Sequence, residues 1–251
     1  MNAADQKWVL IVGASSAIGR ALASRFAASQ FSLVLAARDL EDLNDTASDI
    51  RVRYGIEVQT LPFEATDVQQ HESFWNNCIE MTQGKLEGVV LLQGSLPTQF
   101  DAQRDLSILH ETIAVNYTSL ATLLTLAANY FEPAKRGFLV AVSSVAGDRG
   151  RQSNYVYGSA KAALTAFMQG LRQRLSKSGV TVLTVKPGFV DTAMTWGLPG
   201  MFQVASPDRV AVDIMKAIRR RRGEIYTPWF WRYIMMIIRH IPGSIFNRMK
   251  L

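Results

Sequence analysis

The chain has 251 residues, 48% of them hydrophobic, enough apolar material for one large α/β domain with a substantial core. Its net charge of +6 is uneven: residues 216–251 hold nine Lys/Arg against one acid, or +8, and the rest hold eighteen against twenty, or −2. The body is therefore not a nucleic-acid binder, and one cysteine with three scattered histidines supports neither a disulfide nor a metal site.

Residues 1–8 lack the basic and apolar regions of a secretory signal, so a reducing cytoplasm is the expected setting. An apolar run at 7–12 predicts the first strand, ending at Gly13. A helix from about Ser16 to Ser29 follows, then a strand at 31–37, a polar helix over 39–54 and a strand at 56–63. The alternation continues with a helix at 68–82 that holds Cys78 as a small packing residue, and a strand at 86–92. One long helix is expected over 104–130, then a strand at 137–143, a helix at 155–178, a strand at 180–186 and a last strand at 223–228. Strands alternating with long helices predict right-handed parallel crossovers. The fold class is α/β: a single-domain, Rossmann-type doubly wound parallel sheet over 1–228, with an amphipathic helical tail at 229–251. Ligands of such sheets sit at the carboxyl ends of the strands, so the residues after each strand matter most.

After the first strand comes Gly13-Ala-Ser-Ser-Ala-Ile-Gly19. Gly13 permits a tight turn beside a diphosphate, and Gly19 permits close helix packing. The helix start offers free N–H groups to phosphate oxygens, and Ser15 and Ser16 can add hydroxyl donors. The second strand ends Ala37-Arg38-Asp39, with no acid at the place that would hold the ribose 2′-hydroxyl of NAD. An arginine fork there suits the 2′-phosphate of NADP(H). The opposing reading is a solvent-facing charge pair at a helix start.

Tyr157 and Lys161 are four residues apart on a helix and share one face. An ammonium near the phenol is expected to lower its pKa toward a usable acid/base range. Ser144 lies just past a strand end, where it can hold a substrate oxygen against the tyrosine. Asn116 is a candidate for anchoring a proton-relay water.

With glycine loop, Asn116, Ser144, Tyr157, Lys161 and then Pro187-Gly188 in order, the chain resembles the short-chain dehydrogenase/reductase family across about 7–195. The resemblance implies a Ser144–Tyr157–Lys161 centre assisted by Asn116, with Lys161 also bonding the nicotinamide ribose. It implies a loop from Pro187 through Val190 to Thr192 that holds the carboxamide, and an adenine contact at Glu64. The cofactor-binding set is then Gly13, Ser15, Ser16, Ile18, Gly19, Arg38, Glu64, Ala65, Gly94, Tyr157, Lys161, Pro187, Gly188, Val190 and Thr192. Val12, Ala17 and Leu91-Leu-Gln-Gly94 depart from the family pattern, and the last two bear on how the cofactor is held.

The tail opens with an aromatic and aliphatic run at 229–241 that is too short to span a bilayer, which takes about 20 residues. Arg232 and Arg239 share one face, as in a helix lying in the membrane interface, and Arg219–Arg222 could meet anionic headgroups. Peripheral attachment at the inner face of the cell membrane is expected; the other reading is that the segment completes the core or an oligomer contact. The stretches at 151–159 and 232–246 are similar to reductases of decaprenylphosphoryl-2-keto-β-D-erythro-pentose, which implies a ketone on a lipid-linked sugar as substrate. Another lipid ketone, of 3-oxoacyl or sphingoid type, is the alternative. A catalytically silent NADP-binding sensor or scaffold is the reading from a different class.

Overall fold

Alternate residues of β1 (Trp8–Val12) point to opposite faces of a sheet, and both faces are covered. Trp8, Leu10 and Val12 pack on one side, while Val9 and Ile11 pack on the other. The computed structural model describes residues 6–197 and 200–249. Residues 1–5, which enter the expectation of no export signal, and Lys250 and Leu251 of the tail lie outside the described residues.

The other strands are β2 (Ser32–Ala37), β3 (Val58–Pro62), β4 (Leu86–Leu91), β5 (Phe138–Val142), β6 (Thr181–Pro187) and β7 (Glu224–Thr227). They run in the order β3-β2-β1-β4-β5-β6-β7, and every neighbouring pair is parallel. Strand order reverses between β1 and β4, which opens a crevice at their carboxyl ends. Helices α1 (Ala17–Ala28), α2 (Leu40–Tyr54) and α3 (His71–Met81) follow the first three strands. A short α4 (Gln99–Ala102), then α5 (Leu106–Ile113), α6 (Ser119–Ala134) and α7 (Tyr155–Arg174) follow β4 and β5. After β6 come α8 (Pro207–Arg219) and, beyond β7, α9 (Trp231–His240) and α10 (Gly243–Phe246). One core layer joins α3, α6 and α7 through Phe74, Leu124, Phe131, Leu164 and Met168. The other joins α1, α2 and α8 through Leu22, Phe26, Leu43 and Ile214. Each such fully buried side chain contributes about 1.5–3 kcal/mol. Cys78 lies in the first layer, fully buried, and burial pushes its thiol up to about 12.

The doubly wound parallel sheet matches the expectation, with three local differences. The helix expected over 104–130 is two helices joined by a π turn at Ala114–Thr118. There the Asn116 amide donates to the Thr112 carbonyl at 2.9 Å, competing for the acceptor that a regular turn would use. Helix α8 is an addition: Ser206 caps it, Pro207 opens it, and Val210, Ile214 and Ala217 form its buried stripe. Reading 216–251 as one basic unit hides that helix. Third, Arg219–Arg222 end α8 at the amino end of β7, where Arg221 shares a surface hollow with Gly137 and Thr181. Helix α9 follows the carboxyl end of β7, so the arginine run and the apolar helix lie at opposite ends of the sheet. The expected joint encounter of both with one membrane surface is thereby corrected.

Candidate active site

Helix α1 begins at the carboxyl end of β1, capped by Ser16, whose oxygen accepts from the Gly19 N–H at 3.1 Å. The same hydroxyl donates to the Gly13 carbonyl at 2.7 Å, so Ser16 shapes the loop and its hydroxyl proton is committed there. Gly13 has φ +80°, and a Cβ on Gly19 would stand 2.6 Å from the Gly13 carbonyl oxygen. Glycine at both positions is therefore a steric requirement. The result is an open helix N-terminus at the switch point, a cradle that fits a dinucleotide diphosphate. Asp39 caps α2, accepting from Glu41 and Asp42 N–H. Arg38 beside it is exposed and makes no salt bridge among the described residues, leaving its fork open to a phosphate. Glu64 accepts from the Thr66 backbone N–H at 3.0 Å and from its hydroxyl at 2.8 Å. Those bonds, led by the backbone one, hold its carboxyl below the usual range, with Arg38 adding to the effect.

The two serines after β5 divide by strand alternation. Ser143 turns inward, donating to the Lys161 carbonyl at 2.9 Å and meeting the Thr165 hydroxyl at 2.8 Å. Ser144 faces the other way, into the cavity it shares with Tyr157, and accepts from the Ala146 N–H at 3.1 Å. Two glycines let this turn lie against α7. A Cβ on Gly147 would stand 2.7 Å from the Lys161 carbonyl carbon, and one on Gly158 would stand 2.9 Å from the Ala146 oxygen.

Lys161 is buried, donates to the Val142 carbonyl at 3.0 Å and lies 5.7 Å from the centre of the Tyr157 ring. Burial lowers its ammonium to about 7. Burial likewise pushes the Tyr157 hydroxyl up to about 12, against the smaller lowering effect of the nearby Ser144 hydroxyl. A lysine four residues on predicts the opposite direction for the tyrosine. Removal from water dominates because the lysine that would stabilise the phenolate is itself starved of solvent.

Ser144, Tyr157 and Lys161 line one cavity of about 250 Å³ together with Ser16, Ile18, Gly94, Pro187, Gly188, Val190 and Thr192. Gly13, Ser15, Gly19, Arg38, Glu64 and Ala65 lie outside that cavity, along the carboxyl ends of β1, β2 and β3. Asn116 is fully buried behind Gly94. Its amide donates to the Ser95 and Thr112 carbonyls at 2.8 and 2.9 Å, and its oxygen accepts from the Ser95 N–H at 3.3 Å. The side chain is committed to fixing the β4 loop and has no donor left to anchor a relay water.

The reading in which the tail completes the core holds for Trp231 and Met235, which are buried against the body. Three features escaped the sequence reading. Trp231 lines the same cavity as Tyr157, packed against Gly188. Arg149 donates to the Ile238 and Ile241 carbonyls at 2.6 and 2.7 Å, clamping the end of α9. Beside it, Asp148 ties the Ser144 turn to the sheet. It lies 2.8 Å from Lys186 Nζ and accepts from the Tyr226 hydroxyl at 2.7 Å. No periodicity or motif signals these long-range partners; the aromatic and aliphatic run at 229–241 and the basic charge of 216–251 marked only the tail itself as unusual.

The family model for short chain dehydrogenases matches residues 7–200. An uncharacterised oxidoreductase of Mycobacterium tuberculosis is 36% identical over 241 residues, which are 96% of each chain. The zebrafish very-long-chain 3-oxoacyl-CoA reductase-A is 28% identical over 190 residues, 75% of this chain and 60% of that one. Among solved structures, a short-chain dehydrogenase of Sphingobium yanoikuyae in complex with NADPH superposes with a TM-score of 0.78 at 26% identity, covering 95% of this chain and 97% of that one. The chain belongs to the short-chain dehydrogenase/reductase family of nicotinamide-dependent oxidoreductases.

Proposed function

We propose that the protein is an NADPH-dependent reductase of a ketone, with Tyr157 as the proton donor. The observation that carries this is the placement of Ser144, Tyr157 and Lys161 in one cavity with the open end of α1 and the loop after β6. The α1 cradle would hold the diphosphate, Arg38 the 2′-phosphate, Lys161 the ribose, and Val190 with Thr192 the carboxamide. When bound, the nicotinamide supplies the hydride that adds to the carbonyl carbon. Ser144 and Tyr157 orient the carbonyl oxygen. As negative charge develops there, Tyr157 transfers its proton, since even a phenol at about 12 is a far stronger acid than the alcohol being formed. The Lys161 ammonium stabilises the phenolate left behind.

The substrate we favour is a 2-keto sugar on a polyprenyl phosphate, supported by the resemblance of 151–159 and 232–246. In this reading the exposed side of α9 rests in the interface at the inner face of the cell membrane. Tyr233 and Ile237 are 55% and 64% exposed on that side, Trp229 packs edge-on against Tyr233, and Arg232 and Arg239 flank the patch. A 3-oxoacyl ketone is the second reading, favoured by the apolar walls Leu92, Leu96, Phe189 and Met194. The test is NADPH oxidation with a keto sugar on a short polyprenyl phosphate, a 3-oxoacyl-CoA, and no ketone. Turnover of neither ketone would overturn the reductase assignment, and preference for the thioester would overturn the sugar. Sedimentation with anionic liposomes tests the surface. Tyr233→Ser with Ile237→Ser leaves the buried face of α9 intact and is expected to stay in the supernatant. Equal pelleting of both proteins, or dimerisation through this face, would sink the membrane reading.

A further inference from the structure

Arg151, Asn154 and Trp231 line the same cavity as Tyr157. Each carries a buried polar atom without a hydrogen-bond partner: Nε of Arg151, Oδ1 of Asn154 and Nε1 of Trp231. Such orphans are rare in folded proteins, and each costs about 1–3 kcal/mol. Three around one cavity are best explained by a ligand that completes them.

The charge balance says which kind. Arg151 makes no salt bridge among the described residues, and its one side-chain hydrogen bond there runs from Nη2 to Met235 Sδ at 3.4 Å. The acid whose field reaches it, Asp148, already serves Lys186 and Tyr226. Burial accordingly lowers the pKa of the guanidinium, as expected of a cation short of both solvent and counter-charge. The neighbouring Arg149 is spent on clamping α9, so Arg151 alone remains for a ligand.

The donors are also held in place. Trp231 is 3% exposed, and its Nε1 lies 1.9 Å from where a Cβ on Gly188 would stand, so the indole is held in the cavity wall by its packing against Gly188. Arg151 and Asn154 sit in the turn leading into α7, three residues apart, with Tyr157 three residues further on.

We propose that Arg151, Asn154 and Trp231 form a binding subsite for an anionic group of the substrate, a phosphate ester or a carboxylate carried close to the ketone. Its oxygens accept from Arg151 Nε–H and Trp231 Nε1–H, while Asn154 Oδ1 accepts from an adjoining hydroxyl. This rests on the reading of Tyr157 as the donor to a ketone in the same cavity. It also means that α9 contributes to substrate selection and is more than an anchor.

The test is calorimetric titration of malonate, and separately of inorganic phosphate, into protein saturated with NADPH, which keeps the anions away from Arg38. At least one anion is expected to bind, and the two arms distinguish carboxylate from phosphate. Arg151→Gln is expected to weaken that binding about tenfold or more, Trp231→Phe to weaken it less, and Arg151→Lys to retain more than the glutamine variant. If neither anion binds the wild type, or if Arg151→Gln and Trp231→Phe both bind as the wild type does, the subsite is refuted. Turnover of a neutral ketone by the same wild-type sample reads the reductase assignment separately. Turnover without anion binding overturns the subsite alone; anion binding that depends on Arg151, without turnover of any ketone, overturns the reductase reading alone.

Discussion

Replacing Lys161 by methionine is expected to make the nucleotide-free protein more stable, because the folded state now buries an ammonium that it stabilises poorly. Its pKa of about 7 lies well below the ordinary 10.5. At 1.36 kcal/mol per unit, that gap sets a ceiling of about 5 kcal/mol on the penalty at low pH. Methionine preserves much of the packing of the stem but leaves the Val142 carbonyl without its donor, which returns about 1–2 kcal/mol. A net gain of about 3 kcal/mol raises the melting temperature by roughly 6–12 °C in a chain of this size. The pH dependence identifies the cause. Below about pH 7 the lysine is protonated in both states and the penalty is constant. Between about 7 and 10.5 the unfolded chain binds more protons than the folded one, so wild-type stability rises with pH. Tyr157 works in the opposite sense, but only above about pH 10. Thermal melts without nucleotide at about pH 6.5 and about pH 9.5 are therefore expected to show a large advantage for Lys161→Met that closes at the higher pH. A variant that melts below the wild type at the lower pH, or by the same offset at both, would refute the argument.

Gly19→Ala drives a Cβ into the Gly13 carbonyl oxygen and the Ala14 backbone, none of which is a flexible side-chain end. The loop must open at a cost of about 1–3 kcal/mol, and NADPH affinity by fluorescence titration is expected to fall about tenfold. Unchanged affinity would remove this loop from the cofactor site. Asp148→Asn leaves Lys186 with Glu224, 3.0 Å away, as its remaining carboxylate among the described residues. A loss of about 2–4 kcal/mol in urea unfolding is expected, and a loss below about 0.5 would show that the tie contributes little. Arg38→Gln is expected to shrink the preference for NADPH over NADH in kcat/KM by about tenfold or more; an unchanged ratio would place the 2′-phosphate elsewhere.

The parts of the fold and site that were legible in the sequence are those written in local patterns. Short, largely apolar runs mark the central strands β1, β2, β4 and β5, because a sheet buried on both faces needs little but apolar side chains there, while the edge strands β3 and β7 carry polar residues. Tyr157 and Lys161 were legible because one helical turn joins them, and Ser144 because it follows a strand end. Local patterns do not reach the bond from Asn116 to Ser95 across the β4 loop, 21 residues away. Nor do they reach Arg149 and Asp148, whose partners lie 38 to 92 residues on. Helix α8 is different, since its Ser206-Pro207 start and its apolar spacing are visible and were obscured by the adjoining basic run. The pKa of Tyr157 depends on how deeply it is buried, which no spacing records.

The most direct test of the central claim is Tyr157→Phe, assayed for ketone reduction and for NADPH binding in one preparation. The loss of a positioned proton donor is expected to cost about 10²–10⁴-fold in kcat, with NADPH affinity within about threefold of the wild type. Turnover that survives within about tenfold would contradict the assignment of Tyr157 as the acid on which the account is built.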